Sequence, residues 1–271
     1  MNVPPGQAQQ PQNIPPRPQG PRWRPMLVYG IIAVTAIVYL LQSISLNVLG
    51  YDLPSAIGAK DNAAILQGQM WRLVTPLFLH GSPFHILGNM YSLFILGPIL
   101  ERFYGRTRFL LLYFLAGISG NIASFYFTSS PSIGASTAIF GLAAAQVVFV
   151  YRNRVIFGSQ TRSILTNLFV VIAINLVFGF AVPGIDYFGH FGGLVGGFAF
   201  AWFAGPLLKK QTVVMDYGGS TSQAYPSLET PLPQVAVRLV DQVTSSQSWI
   251  TAGVELTVFI VLVIIRMLRP S

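Results

Sequence analysis

The chain has 271 residues, of which 52% are hydrophobic and only 9% are charged, and its net charge is +8. This balance, with a mean hydropathy of +0.58, excludes an ordinary soluble domain and predicts a membrane protein. Because the chain has no cysteine, it can form neither disulfide bonds nor thiolate metal sites.

The order of apolar and polar stretches predicts a polytopic bundle of transmembrane helices, which is an all-α fold. Residues 1–25 are rich in Pro and Gln, and we expect a disordered cytosolic segment there. No signal-peptide pattern precedes the first apolar stretch, so we expect this stretch to stay as an uncleaved anchor. Most of the apolar stretches are near the ~17–25 residues that a helix needs to cross hydrocarbon. The seven predicted spans are 26–44, 84–100, 109–127, 135–151, 164–182, 187–208 and 249–265.

Two connecting segments are long. Residues 46–83 form an outer loop, in which the apolar stretch around Trp71 and Arg72 suits the membrane interface. Residues 209–248 form a predicted cytosolic linker between the sixth span and the seventh. The predicted organisation is therefore a six-helix core at 26–208, the linker, and a seventh helix with its tail at 249–271.

Basic residues are unevenly divided between the two sides of this arrangement. Twelve of the sixteen lie in the N-terminal segment and in the loops that follow spans two, four and six. The exceptions are Lys60, Arg72, Arg266 and Arg269. The positive-inside rule therefore predicts a cytosolic N-terminus and an external C-terminus. Since topology explains the positive charge, it does not indicate nucleic-acid binding.

Four polar residues are expected to meet near the outer ends of three parallel spans. His85 and Asn89 lie one helical turn apart at the start of span two, and they share a face. Ser136 lies in the opening turn of span four, and His190 lies near the start of span six. At ~1.5 Å rise per residue, all four groups lie within roughly 10 Å of the outer helix ends. Polar groups of this kind inside membrane spans usually mark function.

Spans four and six, which carry Ser136 and His190, also have small residues that predict close packing. Span six has glycines at 189, 192, 193, 196 and 197, and span four offers Ala138, Gly141 and Ala145. Small residues let membrane helices approach backbone to backbone, as a Ser136–His190 hydrogen bond would require. Asp186, one turn before His190, is expected to cap the start of span six rather than to complete a triad.

Taken together, these residues resemble the rhomboid intramembrane serine proteases over nearly all of residues 26–205. Any one of the motifs alone is weak evidence, but in this order and at these spacings they are highly specific. They are Trp71-Arg72, His80-x4-His85-x3-Asn89, Glu101-Arg102-x2-Gly105, Gly134-Ala-Ser136 and Gly189-His190-Phe-Gly-Gly193.

The resemblance implies a rhomboid-like six-helix core with a C-terminal seventh helix, and a serine endopeptidase that needs no cofactor and no metal. It implies a catalytic dyad of Ser136 and His190, with the oxyanion stabilised by His85, Asn89 and the Ser136 backbone N–H. His80 and Glu101 are expected to be structural, with Glu101 organising the cytosolic side of spans two and three. The implied substrates are single-span membrane proteins in the lipid bilayer, and the expected location is a bacterial plasma membrane.

Two positions depart from the family pattern. The usual glycine after the nucleophile is Thr137 here, and the tyrosine common one turn later is Phe140. Thr137 could narrow the site or bond back into its own helix turn. Phe140 keeps the aromatic ring without the hydroxyl.

Other kinds of protein are consistent with part of the pattern. A zinc metalloprotease would need a ligand cluster that His80 and His85 do not supply. A small-solute transporter stays possible, since polar groups facing a cavity could bind a solute. A non-catalytic rhomboid-like protein that binds membrane clients is the other alternative. The sequence does not indicate the oligomeric state.

Overall fold

The computed structural model describes residues 23–181, 184–215 and 234–269. Residues 1–22 of the predicted disordered segment, and residues 216–233 of the predicted linker, lie outside the described residues. Within these ranges the helices are α1 (Met26–Leu49), α2 (Leu53–Gly58), α3 (Asn62–Leu66), α4 (Pro83–Phe127), α5 (Ser136–Arg152), α6 (Arg154–Phe157), α7 (Gln160–Ala181), α8 (Tyr187–Ala204) and α9 (Ser245–Leu268). Two 3₁₀ turns, Met70–Leu73 and Thr75–Phe78, lie in the outer loop, and two strands are β1 (Leu208–Met215) and β2 (Gln234–Asp241).

The predicted all-α membrane bundle is confirmed. In the described part of the chain, four helices are long and apolar enough to cross a membrane, namely α1, α4, α7 and α9. At 45 residues, α4 has the length of two crossings and contains both the second and the third predicted span. Helix α5 is shorter, with 17 residues, and most of its side chains are buried among its neighbours.

Helix α4 is a helical hairpin that reverses at Gly105. This glycine has φ 75° and ψ 167°, a conformation that side chains with a Cβ rarely adopt. The hydroxyl of Tyr104, beside the reversal, donates a hydrogen bond to the Ala145 carbonyl in the second half of α5. The residue after the far end of α4, Thr128, instead bonds Asp186 at the start of α8. The reversal therefore lies at one end of the bundle, and both ends of α4 lie at the other.

The core of the bundle is the contact of α8 with α5 and with the second half of α4. A Cβ added at Gly197 would lie 2.3 Å from the Cα of Gly141, and one at Gly193 would lie 2.0 Å from the Thr137 carbonyl oxygen. A Cβ at Gly192 would lie 2.4 Å from the Cβ of Ala123 on α4. The predicted small-residue packing of these spans is therefore confirmed, and α8 touches both neighbours through its backbone.

Glu101 is structural, as expected, but it joins a helix that the sequence did not indicate. Its side chain is 1% exposed, and its two oxygens accept hydrogen bonds from the backbone N–H groups of Leu27 and Val28 at 3.2 and 3.0 Å. These N–H groups open α1 and have no partner within their own helix. Glu101 therefore caps α1 and ties it to α4, rather than organising spans two and three alone.

The predicted linker contains an antiparallel hairpin of β1 and β2, in which Leu208 pairs with Asp241 and Met215 with Gln234. Asp241 forms a salt bridge with Arg108 of α4. Its other oxygen accepts from the Leu207 and Val243 backbone N–H groups, both at 3.0 Å. The end of this hairpin is thereby fixed to the reversal of α4, just before α9 begins.

Helix α9 packs against α4 and α8 along its length. Near its start, the Gln247 side chain donates a hydrogen bond to the carbonyl of Phe203, at the end of α8. Near its end, the Tyr126 hydroxyl of α4 donates to the carbonyl of Leu262. Helix α9 therefore runs antiparallel to α8 over the same thickness of the bundle, as a seventh crossing requires.

We expect Gly197→Ala to lower stability markedly, because the added methyl meets the backbone of α5. Overpacking of this kind typically costs about 1–3 kcal/mol. Gly253→Ala on α9 is the matched control, since an added Cβ there has no neighbour within 4 Å and alanine favours a helix. Thermal unfolding midpoints in detergent micelles measure both. Equal midpoints for the two variants would contradict the close α5–α8 contact.

Candidate active site

The side chains of Ser136 and His190 are in direct contact. The Nε2 atom of His190 lies 2.9 Å from the Oγ of Ser136, which is hydrogen-bond distance. His190 is 9% exposed, so this contact is shielded from bulk solvent. A hydroxyl bonded to an imidazole in this way can lose its proton to the ring as it attacks an electrophile.

Each partner is fixed by the start of its helix. Ser136 is the first residue of α5, and Asp186 is the N-cap of α8, where its carboxylate accepts from the Gly189 backbone N–H. The expected capping role of Asp186 is confirmed. The first turn of α5 has no side-chain cap, so its N–H groups remain available as donors near Ser136. The positive end of the α5 dipole also favours negative charge at this position.

An aromatic ring supports the imidazole from one side. Phe140 lies one turn after Ser136, and its ring stacks on His190 with centroids 4.4 Å apart and planes at 25°. The ring function of the usual tyrosine is therefore retained by phenylalanine, because stacking needs no hydroxyl.

His85 faces Ser136 across Gly134. A Cβ built at Gly134 would lie 2.8 Å from the Nε2 of His85 and 3.5 Å from the Oγ of Ser136, and φ there is +134°. The backbone N–H of Gly81 donates to Nδ1 of His85 at 3.4 Å. Since Nδ1 accepts, the proton of the neutral ring lies on Nε2. The ring therefore directs an N–H donor at the space beside Ser136.

Asn89 lies one turn below His85, with 8% of its surface exposed. Its side-chain nitrogen donates to the His85 carbonyl at 2.9 Å. An amide nitrogen carries two hydrogens, so one donor remains for another acceptor. Its predicted part in stabilising an oxyanion stays a prediction.

Thr137 does not line the space around Ser136. It is 5% exposed, and its Cγ2 lies 2.8 Å from a Cβ built at Gly120 and 3.2 Å from one built at Gly189. The side chain therefore fills the gap between α4 and α8. Thr137 therefore does not narrow the space around Ser136, and its side chain serves to pack α5 against α4 and α8.

His80 positions the segment before Ser136. The backbone N–H of Ala135 donates to Nε2 of His80 at 3.4 Å, and the ring of His80 meets that of His85 edge-on with centroids 4.9 Å apart. Burial, followed by the neighbouring His85, lowers the pKa of His80 to about 3. A neutral His80 can accept the Ala135 N–H, in line with the structural role expected from the sequence.

Gln42 of α1 fixes His80 in turn, and sequence reasoning missed it. Its side-chain oxygen accepts from the His80 N–H at 3.0 Å, and its nitrogen contacts the His80 carbonyl, Asp52 and Ser55. Gln42 is 3% exposed. A glutamine inside an apolar span is a signal that could have found this residue.

Lys60 is a second missed residue, and it joins the outer loop to the end of α4. Its ammonium donates to the carbonyls of Thr128 at 2.8 Å and Ser130 at 2.9 Å, and to the Asn62 side chain at 3.0 Å. Burial lowers the pKa of Lys60 to about 8, while the carboxylates of Asp186 and Asp61 oppose this shift. No sequence motif signals this role, because it depends on contacts about 70 residues away.

Arg72 folds the outer loop onto itself. Its guanidinium donates to the carbonyls of Ala59 and Ala56, both at 2.8 Å, and to Gln69 at 2.7 Å. Trp71 beside it is 53% exposed, as expected for an aromatic residue at the membrane interface. The loop above the candidate site is thus held by side chains bonded to backbone carbonyls.

These features define a helical membrane protein with a serine–histidine pair at one end of its bundle. Residues 67–207 match the Rhomboid domain. The chain belongs to the rhomboid family and is an integral membrane protein, as the sequence motifs predicted.

Individual relatives share the region of the site. The chain is 46% identical over 175 residues to the rhomboid protease GluP of Bacillus subtilis, covering 65% of this chain and 34% of the relative. It is 39% identical over 146 residues to the rhomboid-like protease 1 of Toxoplasma gondii, covering 52% and 50%. It is 39% identical over 144 residues to the RHOMBOID-like protein 1 of Arabidopsis thaliana, covering 52% and 36%. The chain thus spans about a third to a half of the length of these relatives.

The neutral state of His80 makes stability depend on pH. Because its pKa of about 3 lies below the ordinary value near 6.5, the unfolded chain binds more protons between these values. The stabilising effect is therefore complete above about pH 6.5 and is lost as the pH falls towards 3. We expect His80→Gln, which keeps an acceptor for Ala135, to weaken this dependence.

Unfolding midpoints of wild type and His80→Gln at pH 7.5 and 5 measure the effect. The decrease between the two pH values should be smaller in the variant. An equal or larger decrease in the variant would contradict a neutral, buried His80.

Proposed function

We propose that this protein is an intramembrane serine endopeptidase that cleaves transmembrane segments of membrane proteins with a Ser136–His190 dyad. The observation that carries the proposal is the 2.9 Å contact between Ser136 Oγ and His190 Nε2 at the opening of a membrane-embedded helix. Membership in the rhomboid family, with protease relatives, supports the same activity.

The proposed reaction begins with attack of Ser136 Oγ on a peptide carbonyl, while Nε2 of His190 takes the hydroxyl proton. The ring then gives this proton to the leaving amine. Water later attacks the acyl-enzyme with His190 again as the base, which restores the serine. The stacked Phe140 ring holds the imidazole in one plane during both transfers.

The oxyanion is the second element of the proposal. Its donors are the backbone N–H of Ser136, the Nε2–H of His85 and the free amide hydrogen of Asn89. The Gly81 contact with Nδ1 of His85 supports the required tautomer. Removal of one such donor typically costs about 10²–10³ in rate, so we expect His85→Ala to lower kcat strongly.

Substrates are proposed to be single-span membrane proteins that reach the site from the lipid. Along the apolar part of α7, none of the 18 residues of Gln160–Val177 is buried. This helix therefore faces lipid on most of its surface, and it packs loosely beside α5 and α8. A loosely held helix next to the site suits lateral entry of a transmembrane segment.

The dyad predicts non-additive losses. We expect Ser136→Ala and His190→Ala each to abolish cleavage of a single-span test substrate, and the double variant to be hardly worse, because the two groups act as one unit. A fluorophosphonate probe should label wild type at Ser136 but neither variant. Residual turnover near the wild-type rate in folded Ser136→Ala would contradict the proposal. A folded wild type without labelling or cleavage would favour the non-catalytic alternative.

The proposed location is a bacterial plasma membrane with a cytosolic N-terminus and an external C-terminus. The loop charge bias and the antiparallel course of α8 and α9 support this orientation. We expect reporter tags at Met1 and Ser271 to lie on opposite sides of the membrane, with Met1 in the cytosol. Protease accessibility in intact cells measures this. Two cytosolic tags would show that α9 does not cross.

A further inference from the structure

Two buried polar atoms of α8 have no hydrogen-bond partner among the described residues. They are the Nδ1 of His190 and the Oδ2 of Asp186. The two residues are four positions apart on one helix, so their side chains lie on the same face. A buried donor or acceptor without a partner is costly and calls for an explanation.

The proposed chemistry determines which of these atoms carries a proton. Since Nε2 of His190 must accept from Ser136, the proton of the neutral ring lies on Nδ1. The ring therefore presents an N–H donor on the side away from the serine. The carboxylate oxygen of Asp186 is an acceptor, so the unused groups are complementary.

Asp186 uses only one of its two carboxylate oxygens to cap α8. Its Oδ1 accepts from the Gly189 backbone N–H and from the Thr128 hydroxyl, both at 3.0 Å. A Cβ at Gly189 would lie 2.9 Å from Oδ2, so the free oxygen lies over the residue that precedes His190. A side chain at position 189 would displace it.

We propose that Asp186 is a positioning residue for catalysis that acts through His190, in addition to capping α8. The two free atoms are not hydrogen-bonded to each other, so Asp186 acts through its negative charge, which favours the imidazole proton on Nδ1 and stabilises the imidazolium that forms when Ser136 is deprotonated. This inference rests on the proposed protease function.

The proton balance of this step is simple. The Ser136 proton moves to Nε2 as the Oγ–carbon bond forms, and the ring becomes positively charged. Asp186 stays ionised and takes no proton. The proton on Nε2 then goes to the leaving amine as the peptide C–N bond breaks, and the ring is neutral again. A fixed negative charge one turn away stabilises only the charged stage, which lowers the barrier.

Two other titratable groups, Lys60 and His85, lie near Asp186 and His190. The ammonium of Lys60 is attracted by the carboxylates of Asp186 and Asp61. His85 is the second ring that faces the site, and its Nδ1 already accepts from Gly81. Of these groups, only the Asp186 carboxylate supplies negative charge on the helix of His190.

Asp186→Asn tests the inference, because asparagine caps helices as well as aspartate and can accept from Gly189 and Thr128. We expect a loss in kcat of about tenfold or more, an unchanged KM and a nearly unchanged unfolding midpoint. The rate of fluorophosphonate labelling at Ser136 should fall by a similar factor. Asp186→Glu, which keeps the charge, should retain more activity than Asp186→Asn.

Asp61→Asn is the matched control. Asp61 caps α3 by accepting from the Ala64 N–H at 2.8 Å, and it also interacts with Lys60, but it caps a different helix. We expect its kcat and labelling rate to stay within about twofold of wild type.

The outcomes separate this inference from the proposed function. If wild type is not labelled and does not cleave, the protease proposal fails. If wild type is active and folded Asp186→Asn matches it within about twofold in kcat, only the role of Asp186 is overturned. Equal losses in Asp186→Asn and Asp61→Asn, or a failure of Asp186→Asn to fold, would assign Asp186 a purely structural role and overturn it as well.

Discussion

The backbone contact between α5 and α8 is the constraint on which the rest of the site depends. Membrane helices gain little from hydrophobic burial against each other, so their separation is set by side-chain size and van der Waals contact. At Gly141 and Gly197 the two backbones touch, with no room for a Cβ. Since Ser136 and His190 lie on these same helices, this contact fixes their 2.9 Å separation. A larger residue at Gly141 or Gly197 would push the two helices apart and lengthen the distance between Ser136 and His190.

A second constraint comes from the outer loop, whose His80 bonds the segment directly before Ser136. The loop is held by long polar side chains that bond backbone carbonyls, chiefly Arg72 and Lys60. Such bonds satisfy carbonyls at helix ends, which have no partner in their own helices. The loop therefore gains rigidity from groups that would otherwise need water. At the membrane surface apolar packing alone stabilises a loop only weakly, so these hydrogen bonds add contacts that hold the loop in place.

Much of this arrangement could be predicted from the sequence, because its signals are local. Apolar runs of membrane length predict the spans, and the spacing of glycines predicts the close contact of α5 with α8. Polar residues inside spans pointed to Ser136 and His190. What could not be predicted depends on distant partners. Glu101 bonds residues 73 and 74 positions away, and no local pattern reveals them.

Side-chain direction is the other part that sequence could not supply. Thr137 directly follows the serine, and chain position alone predicts that it lines the site. Its actual direction depends on the gap between Gly120 and Gly189, two residues from different helices. The β1–β2 hairpin was missed for a related reason. Its position depends on Asp241 meeting Arg108, a pairing that the charge pattern of a predicted linker does not indicate.

The polar residues at this end of the bundle fall into two groups with different energetic roles. Gln42, Lys60 and Arg72 use their donors on backbone carbonyls, and this shell is largely satisfied. In the proposed reaction, the first turn of α5 and the Nε2–H of His85 keep donors for the oxyanion, which is costly in a buried site. The polar side chains of the satisfied shell already have hydrogen-bond partners. They therefore do not rotate to bond the free N–H donors, and these donors stay available. Preorganised donors of this kind need no rearrangement when charge develops, which is the physical advantage that rigid helix ends offer to the proposed hydrolysis.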